Sequence, residues 1–370
     1  MERDTHQSKS ISYNDPRQLS LPSNQRRRQT GPMTYPRSQI APPDEAGFFH
    51  VVSRCVRRAF LCGTDRYSGR CFEHRRQWIE DRIRFLAESF AVSIYSYAVM
   101  SNHFHIVLST DPQEAQLWSD EEVADRWLRV FPGALSRTTD KKQRERIAYA
   151  LIADPKRHQQ IRARLGSLSW FMRALNEPIA RMANKEDGCS GRFWEGRFKC
   201  QALLEEQAVV SAMAYVDLNP VRAKMADTLE HSDHTSIQAR LSERASDPPN
   251  TKSELINRPL KPVAGLDANA LLGMSESSYL DLVQWTGEQT HPLKRGKLKA
   301  PARKYPPDIL WSLAKHPKQW LRRVQGTESR YYRAIGSAEA LMAKAAEIGQ
   351  RWMKGVSGER ARLLLRQQTE

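Results

Sequence analysis

The sequence lacks any apolar run near the ~20 residues that a membrane helix needs. Its first residues include Arg3, Asp4 and His6 where a secretory leader would require an apolar stretch. Cysteine is scarce. The five present, Cys55, Cys62, Cys71, Cys189 and Cys200, form no Cys-x-x-Cys pair, and their odd number argues against a disulfide framework. No internal repeat marks a solenoid or propeller. These absences lead us to expect a soluble, cytoplasmic protein with no membrane partner. Acidic residues are the scarcer charge, 42 Asp and Glu against 58 Lys and Arg, which leaves a formal +16 over 370 residues. Such an excess fits a polyanionic partner, nucleic acid first among them, although many basic soluble proteins share it.

The chain divides by texture. Residues 1–43 are polar and turn-rich around Arg26-Arg27-Arg28 and are expected to form a flexible basic arm, because they cannot bury enough apolar surface to order themselves. From residue 44 to about 240 the pattern alternates between strand and helix. Phe48 to Ser53, Ser93 to Met100 and His103 to Ser109 read as strands, the last two forming a hairpin across Ser101-Asn102. Residues 71–90 and 167–185 carry helical periodicity, and 111–165 looks like a charged helical insertion. After Gly191 to Phe198, Lys199 to Leu204 reads as a fourth strand. Glu205-Glu206 then open a helix expected to stop near Asn219, before Pro220. This order predicts an α+β, ferredoxin-like antiparallel sheet with packed helices. Residues 241–370 hold 22 Lys and Arg against 13 Asp and Glu, so +9 of the +16 lies there. They are expected to form a separate, mostly helical basic domain, in which Trp311, Trp320 and Trp352 help build a small core.

Two local patterns bear on chemistry. His103 and His105 flank Phe104 in a strand, so both imidazoles share one face while the phenyl ring turns to the other. That spacing serves a metal site, and it also occurs with ordinary strand histidines. Tyr215 and Asn219, four apart, fall on one helical face, and Ser211 and Ala208 extend that stripe with small side chains that leave room for a substrate. Val209, Met213 and Val216 lie on another stripe, suited to anchoring the helix on the sheet. A core tyrosine and a simple helix stop account for the same spacing.

Three ordered blocks sharpen the reading. Met100-Ser101-Asn102-His103-Phe104-His105-Ile106-Val107-Leu108, Gly191-Arg192-Phe193-Trp194-Glu195-Gly196-Arg197-Phe198 and Ala214-Tyr215-Val216-Asp217-Leu218-Asn219-Pro220-Val221-Arg222-Ala223 resemble the REP-associated tyrosine transposases, a family of HUH single-tyrosine enzymes. The resemblance spans roughly residues 46–240 and implies an HUH catalytic core. It further implies His103 and His105 as metal ligands, Asn219 as a third polar ligand, and Tyr215 as the nucleophile that cuts single-stranded or hairpin DNA through a 5′-phosphotyrosine. Magnesium or manganese is the implied cofactor, and imidazole pairs also accept zinc. Homodimers and monomers both occur among such proteins.

Arg54, Arg57, Arg58, Arg192, Arg197, Arg222 and Lys224 are candidates, as a group, for holding DNA phosphates; Phe193 and Trp194 could stack on bases or sit in the core. Two other classes compete with the transposase reading. A domesticated DNA-binding regulator of the same fold would not require Tyr215, His103 and His105 together. A histidine phosphoesterase would need a second His-x-Ser/Thr element, and His50-Val51-Val52-Ser53 has the wrong spacing.

Overall fold

Alternating β-branched and aromatic residues build the sheet where the sequence places them. The computed structural model describes residues 36–56, 61–65, 69–133, 140–246, 260–265, 271–289, 291, 294, 296–299, 303–328 and 333–356. Most of the expected basic arm, and Arg57 and Arg58, lie outside these residues. β1 (Gly47–Arg54) is followed by α1 (His74–Ala87), then by β2 (Val92–Val99) and β3 (His103–Thr110), which pair as the expected antiparallel hairpin. The insertion forms four helices, α2 (Pro112–Leu117), α3 (Asp120–Val130), α4 (Lys141–Ile152) and α5 (Pro155–Leu165). Side chains of Asp111, Ser119, Asp140 and Asp154 cap them by accepting backbone N–H bonds. Asp154-Pro155 is thus a cap followed by a proline in the first turn, where its missing N–H costs nothing.

α6 (Leu168–Glu186) leads to β4 (Lys199–Leu203) and α7 (Glu206–Asp217). α7 stops two residues earlier than expected. Pro220 opens the next short turn, α8 (Asn219–Arg222), and Leu218 between them keeps αR geometry, so the helical phase runs on from Tyr215 to Asn219. The chain continues through α9 (Ser236–Ser246), β5 (Ala264–Gly265), α10 (Glu276–Glu288), α11 (Leu310–Leu313), α12 (Pro317–Gly326), β6 (Ala334–Ile335) and α13 (Ala338–Glu347).

The strands run in the order β5-β2-β3-β1-β4-β6. The central four are antiparallel and follow the split βαβ arrangement. Because side chains alternate across a strand, Phe49, Val51, Phe104, Ile106 and Leu108 pack with α1 and α6 on one face, while Tyr95, Ala98, Val107 and Leu203 pack with α7 on the other. Phe104 is fully buried, as expected.

The segment after 241 departs from expectation in kind. Among the described residues it supplies both edge strands, β5 antiparallel to β2 and β6 parallel to β4, so the sheet is mixed. Pro36–Glu370 group as one compact unit. Tyr279, Leu282, Val283, Trp285 and Trp320 share a core with α7, while Trp311 and Trp352 are exposed. Two exposed sheet edges and an apolar α7 surface need cover, and the C-terminal segment provides it. Phe104→Ala and Trp320→Ala remove buried rings on opposite sides of the sheet, each at a cost of about 3–5 kcal/mol. In urea unfolding, either substitution should shift a single cooperative transition. Two transitions, with Trp320→Ala moving only one, would mean that the C-terminal segment folds by itself.

Candidate functional site

The face of the sheet that carries Val107 also carries His103 and His105, and in β1 it carries His50, opposite Val107 and Gln201 in the strand register. α7 lies across this face and brings Tyr215 over the imidazoles. Its ring centroid is 5.6 Å from that of His105 and 5.9 Å from that of His50, both edge-on.

A chain of polar contacts fixes the rings. His50 Nδ1 lies 2.7 Å from Gln201 Oε1, His50 Nε2 lies 2.9 Å from His105 Nδ1, and His105 Nε2 lies 3.1 Å from Asn219 Nδ2. The Gln201 oxygen can only accept, so His50 donates through Nδ1 and accepts at Nε2; His105 then donates through Nδ1 and carries its lone pair on Nε2. His103 Nδ1 faces Asn102 Oδ1 at 2.6 Å, which likewise leaves the lone pair on Nε2. Both rings of the His-x-His pair therefore hold the tautomer in which Nδ1 donates and Nε2 carries the lone pair, which in His105 accepts from the Asn219 amide.

Burial keeps these rings neutral. It lowers the pKa of His50 to about 4 and that of His103 to about 4, and it takes His105 well below the usual value, with neighbouring cationic charge adding to the shift of His103 and His105. Tyr215 moves the other way. Burial and the charge of Glu328 raise its hydroxyl above the ordinary phenol range, while a hydrogen bond with Asn219 and the charge of Arg54 oppose the rise.

A cavity of about 440 Å³ opens between these groups. Its lining includes His103, His105, Tyr215 and Asn219, with three cations, Arg54, Lys199 and Lys294, and one carboxylate, Glu328. Among the described residues, no group of three His, Cys, Asp or Glu side chains is arranged to hold a metal ion. Three imidazoles, His50, His103 and His105, and two amides, Gln201 and Asn219, are among the nitrogen and oxygen donors gathered here. Among its described lining residues the cations outnumber the carboxylates, and a tyrosine hydroxyl stands at its wall.

No protein-family model matches the chain, and no curated protein matches it. A solved structure of a REP-associated tyrosine transposase bound to a REP hairpin is similar at 12% identity, over 55% of this chain and 82% of that one, with a TM-score of 0.32. A likeness of that degree carries no argument about function, which rests on the motifs and the cavity. The chain has an α+β fold with a mixed sheet, packed helices and a helical C-terminal region, and none of its described helices is long and apolar enough to cross a membrane.

The seven basic candidates separate. Arg54 lines the cavity; Arg192, Arg197 and Lys224 are exposed and do not line it. Arg222, expected to face DNA, turns inward. It donates to the carbonyls of Thr286 at 2.7 Å, Gln289 at 2.9 Å and Gly296 at 3.0 Å. Ser211 and Ala208, expected to leave room for a substrate, are buried because the helix is covered on every side. Phe193 is buried, and Trp194 packs edge-on against it and Phe104 while donating to the Asn176 carbonyl. Sequence reasoning missed His50, Gln201, Lys199 and Glu328 as residues of this cavity; Lys294 stood out in sequence within the basic run Lys294-Arg295-Gly296-Lys297-Leu298-Lys299, read as a phosphate-binding patch or flexible linker. One signal for His50 was present: strand alternation separates it from Phe49 and Val51 and sets it on the face opposite the apolar one.

Arg222→Ala strands three carbonyls and should lower stability by roughly 2 kcal/mol or more. Arg192→Ala, on an exposed side chain, should change it by less than about 0.5 kcal/mol. Urea midpoints measure both, and equal midpoints would show that the Arg222 contacts do not hold the fold.

Proposed function

We propose that this protein is a single-stranded DNA endonuclease and strand transferase of the HUH single-tyrosine type, acting on hairpin DNA. One observation carries the reading: His103, His105, Asn219 and Tyr215, drawn from a strand and a helix more than a hundred residues apart in sequence, line one cavity with Arg54, Lys199 and Lys294. The three motif blocks that resemble REP-associated tyrosine transposases contain the first four of these residues, and they extend the reading to transposition at palindromic repeats.

In this reading the cationic wall draws in the backbone and seats one phosphodiester between the imidazoles and the Tyr215 hydroxyl. The Nε2 atoms of His103 and His105 are the positions that would hold a divalent cation, magnesium or manganese. Asn219 would join as an oxygen ligand by turning its amide away from His105. When bound, that ion supplies Lewis-acid polarisation of the phosphate. The Tyr215 oxygen attacks phosphorus as the bond to the 3′ oxygen breaks. The phenolic proton passes to water, and the departing 3′ oxygen takes one up, giving a 5′-phosphotyrosyl protein and a free 3′-hydroxyl. A second 3′-hydroxyl reversing that attack would rejoin strands without any other energy source. Asn219 has two roles here, orienting the Tyr215 hydroxyl and occupying His105 Nε2 while the ion is away.

Incubation with 5′- and 3′-labelled single-stranded hairpins and manganese, followed by denaturing gels, tests the chemistry. The native protein should form an adduct that retains the 3′ label, and Tyr215→Phe should form none while keeping its fold. His103→Ala and His105→Ala should each abolish the adduct formed with manganese while keeping the fold. An adduct that survives in Tyr215→Phe would falsify the nucleophile, and one that carries the 5′ label would reverse the polarity. A native protein that binds these strands without cutting them would instead fit the regulator reading.

A further inference from the structure

Lys294 reaches the cavity from a segment far along the chain, and the structure shows what holds it there. Arg222, three residues beyond Asn219, grips that segment through the carbonyls of Gln289 and Gly296. Gly296 lies so close to the α8 turn that a Cβ there would stand 1.9 Å from the Val221 oxygen, so only glycine allows the approach. The Lys294 backbone N–H donates to His291 Nδ1 at 3.0 Å, which orients the residue locally. From this mount the ammonium group lies 5.4 Å from the centroid of the Tyr215 ring and 3.0 Å from a Glu328 carboxylate oxygen, and both charged side chains line the cavity.

The pairing with Glu328 is the informative part. Its partners are partly exposed, 21% for Lys294 and 40% for Glu328, and ion pairs of that kind are weak and readily exchanged. Among the described residues that line the cavity, Glu328 is also the only carboxylate, beside Arg54, Lys199 and Lys294. A phosphodiester offers the same charge as a carboxylate, with two unesterified oxygens to accept from the ammonium group. Its arrival beside Glu328 would set two anions together, and that repulsion is relieved when Glu328 yields Lys294 and turns toward solvent.

We infer that Lys294 is a phosphate-binding residue of the Tyr215 cavity, supplied by the C-terminal segment, and that Glu328 holds it as a stand-in anion until a nucleic-acid phosphodiester takes its place. This rests on reading the cavity as a DNA-strand site. It also gives the C-terminal segment a direct part in that site beyond covering α7.

The test uses the full chain carrying Tyr215→Phe, with chelator present, so that only non-covalent binding is read. A fluorescent hairpin with a single-stranded flank is titrated across a salt series by anisotropy. Lys294→Gln should weaken binding roughly tenfold at low salt and lower the salt slope by about 1. Lys294→Arg should retain both. Glu328→Gln should tighten binding by roughly threefold or more, since Lys294 is then no longer held by a competing carboxylate, and should have no effect when Lys294 is already Gln. Unchanged affinity and slope in Lys294→Gln would overturn the inference, as would tightening by Glu328→Gln that persists in the double variant. Adduct formation by the native protein separates the two readings. Cleavage with Lys294-independent binding sinks this inference alone, Lys294-dependent binding without any adduct sinks the cleavage reading alone, and no binding by any variant sinks both.

Discussion

Asp217 is fully buried two residues after Tyr215, and a carboxylate in that position must find hydrogen-bond donors or be expelled from the core. It finds three hydroxyls from three different parts of the chain: Ser96 of β2, Ser236 at the start of α9, and Tyr279 of α10. Burial raises its pKa, and the bonds from Ser236, Tyr279 and Ser96, with the charge of Arg240, hold the rise back. Arg240 in turn donates to the carbonyls of Tyr95 and Lys261. The end of α7 is thereby tied to the sheet beneath it and to the C-terminal helix above it. The orientation of Tyr215 over the imidazoles depends on this knot, because a rotation of α7 would break the Asp217 contacts before it moved anything else.

The same constraint explains why the helix that carries the candidate nucleophile lacks an amphipathic exterior. Its small residues, Ala208, Ser211, Ala212 and Ala214, are all buried, and they allow close approach both to the sheet and to the segment that follows residue 260. Small side chains on a helix face were read from sequence as substrate room, a reading that needed one side of α7 to be open. The covering chain comes from more than sixty residues away, and helical periodicity cannot report it. Periodicity says which residues share a face; it does not say what lies against that face.

What the sequence made legible follows the same division. The His103–Phe104–His105 alternation separates the two cavity-lining imidazoles from the buried phenyl ring, because strand geometry alone determines it. The four-residue spacing of Tyr215 and Asn219 also survives the break between α7 and α8, since Leu218 keeps the helical phase. His50 and Gln201 were not legible as partners of His105, because their meeting depends on the register of β1 against β3 and β4 across more than fifty residues in each direction. Arg222 was expected to face DNA and instead turns inward. A guanidinium with five donors suits buried carbonyls as well as phosphates, and only the positions of Thr286, Gln289 and Gly296 decide between them.

Electrostatics joins these features into one device. Three imidazoles packed in a row, with ring centroids 5.1 Å apart for His50 and His105 and 4.8 Å for His105 and His103, would repel strongly if charged, and burial keeps them neutral. Arg54 and Lys294 add a positive field at both His103 and His105. A neutral imidazole is the form that offers a lone pair, so burial, with that field added, leaves both rings in the form that could hold a cation. That field would by itself oppose a divalent ion, and the opposition is lifted only when an anion enters beside the rings. A phosphodiester supplies such a charge. If the proposed function holds, metal and nucleic-acid backbone should favour each other's binding beside His103 and His105 in this cavity.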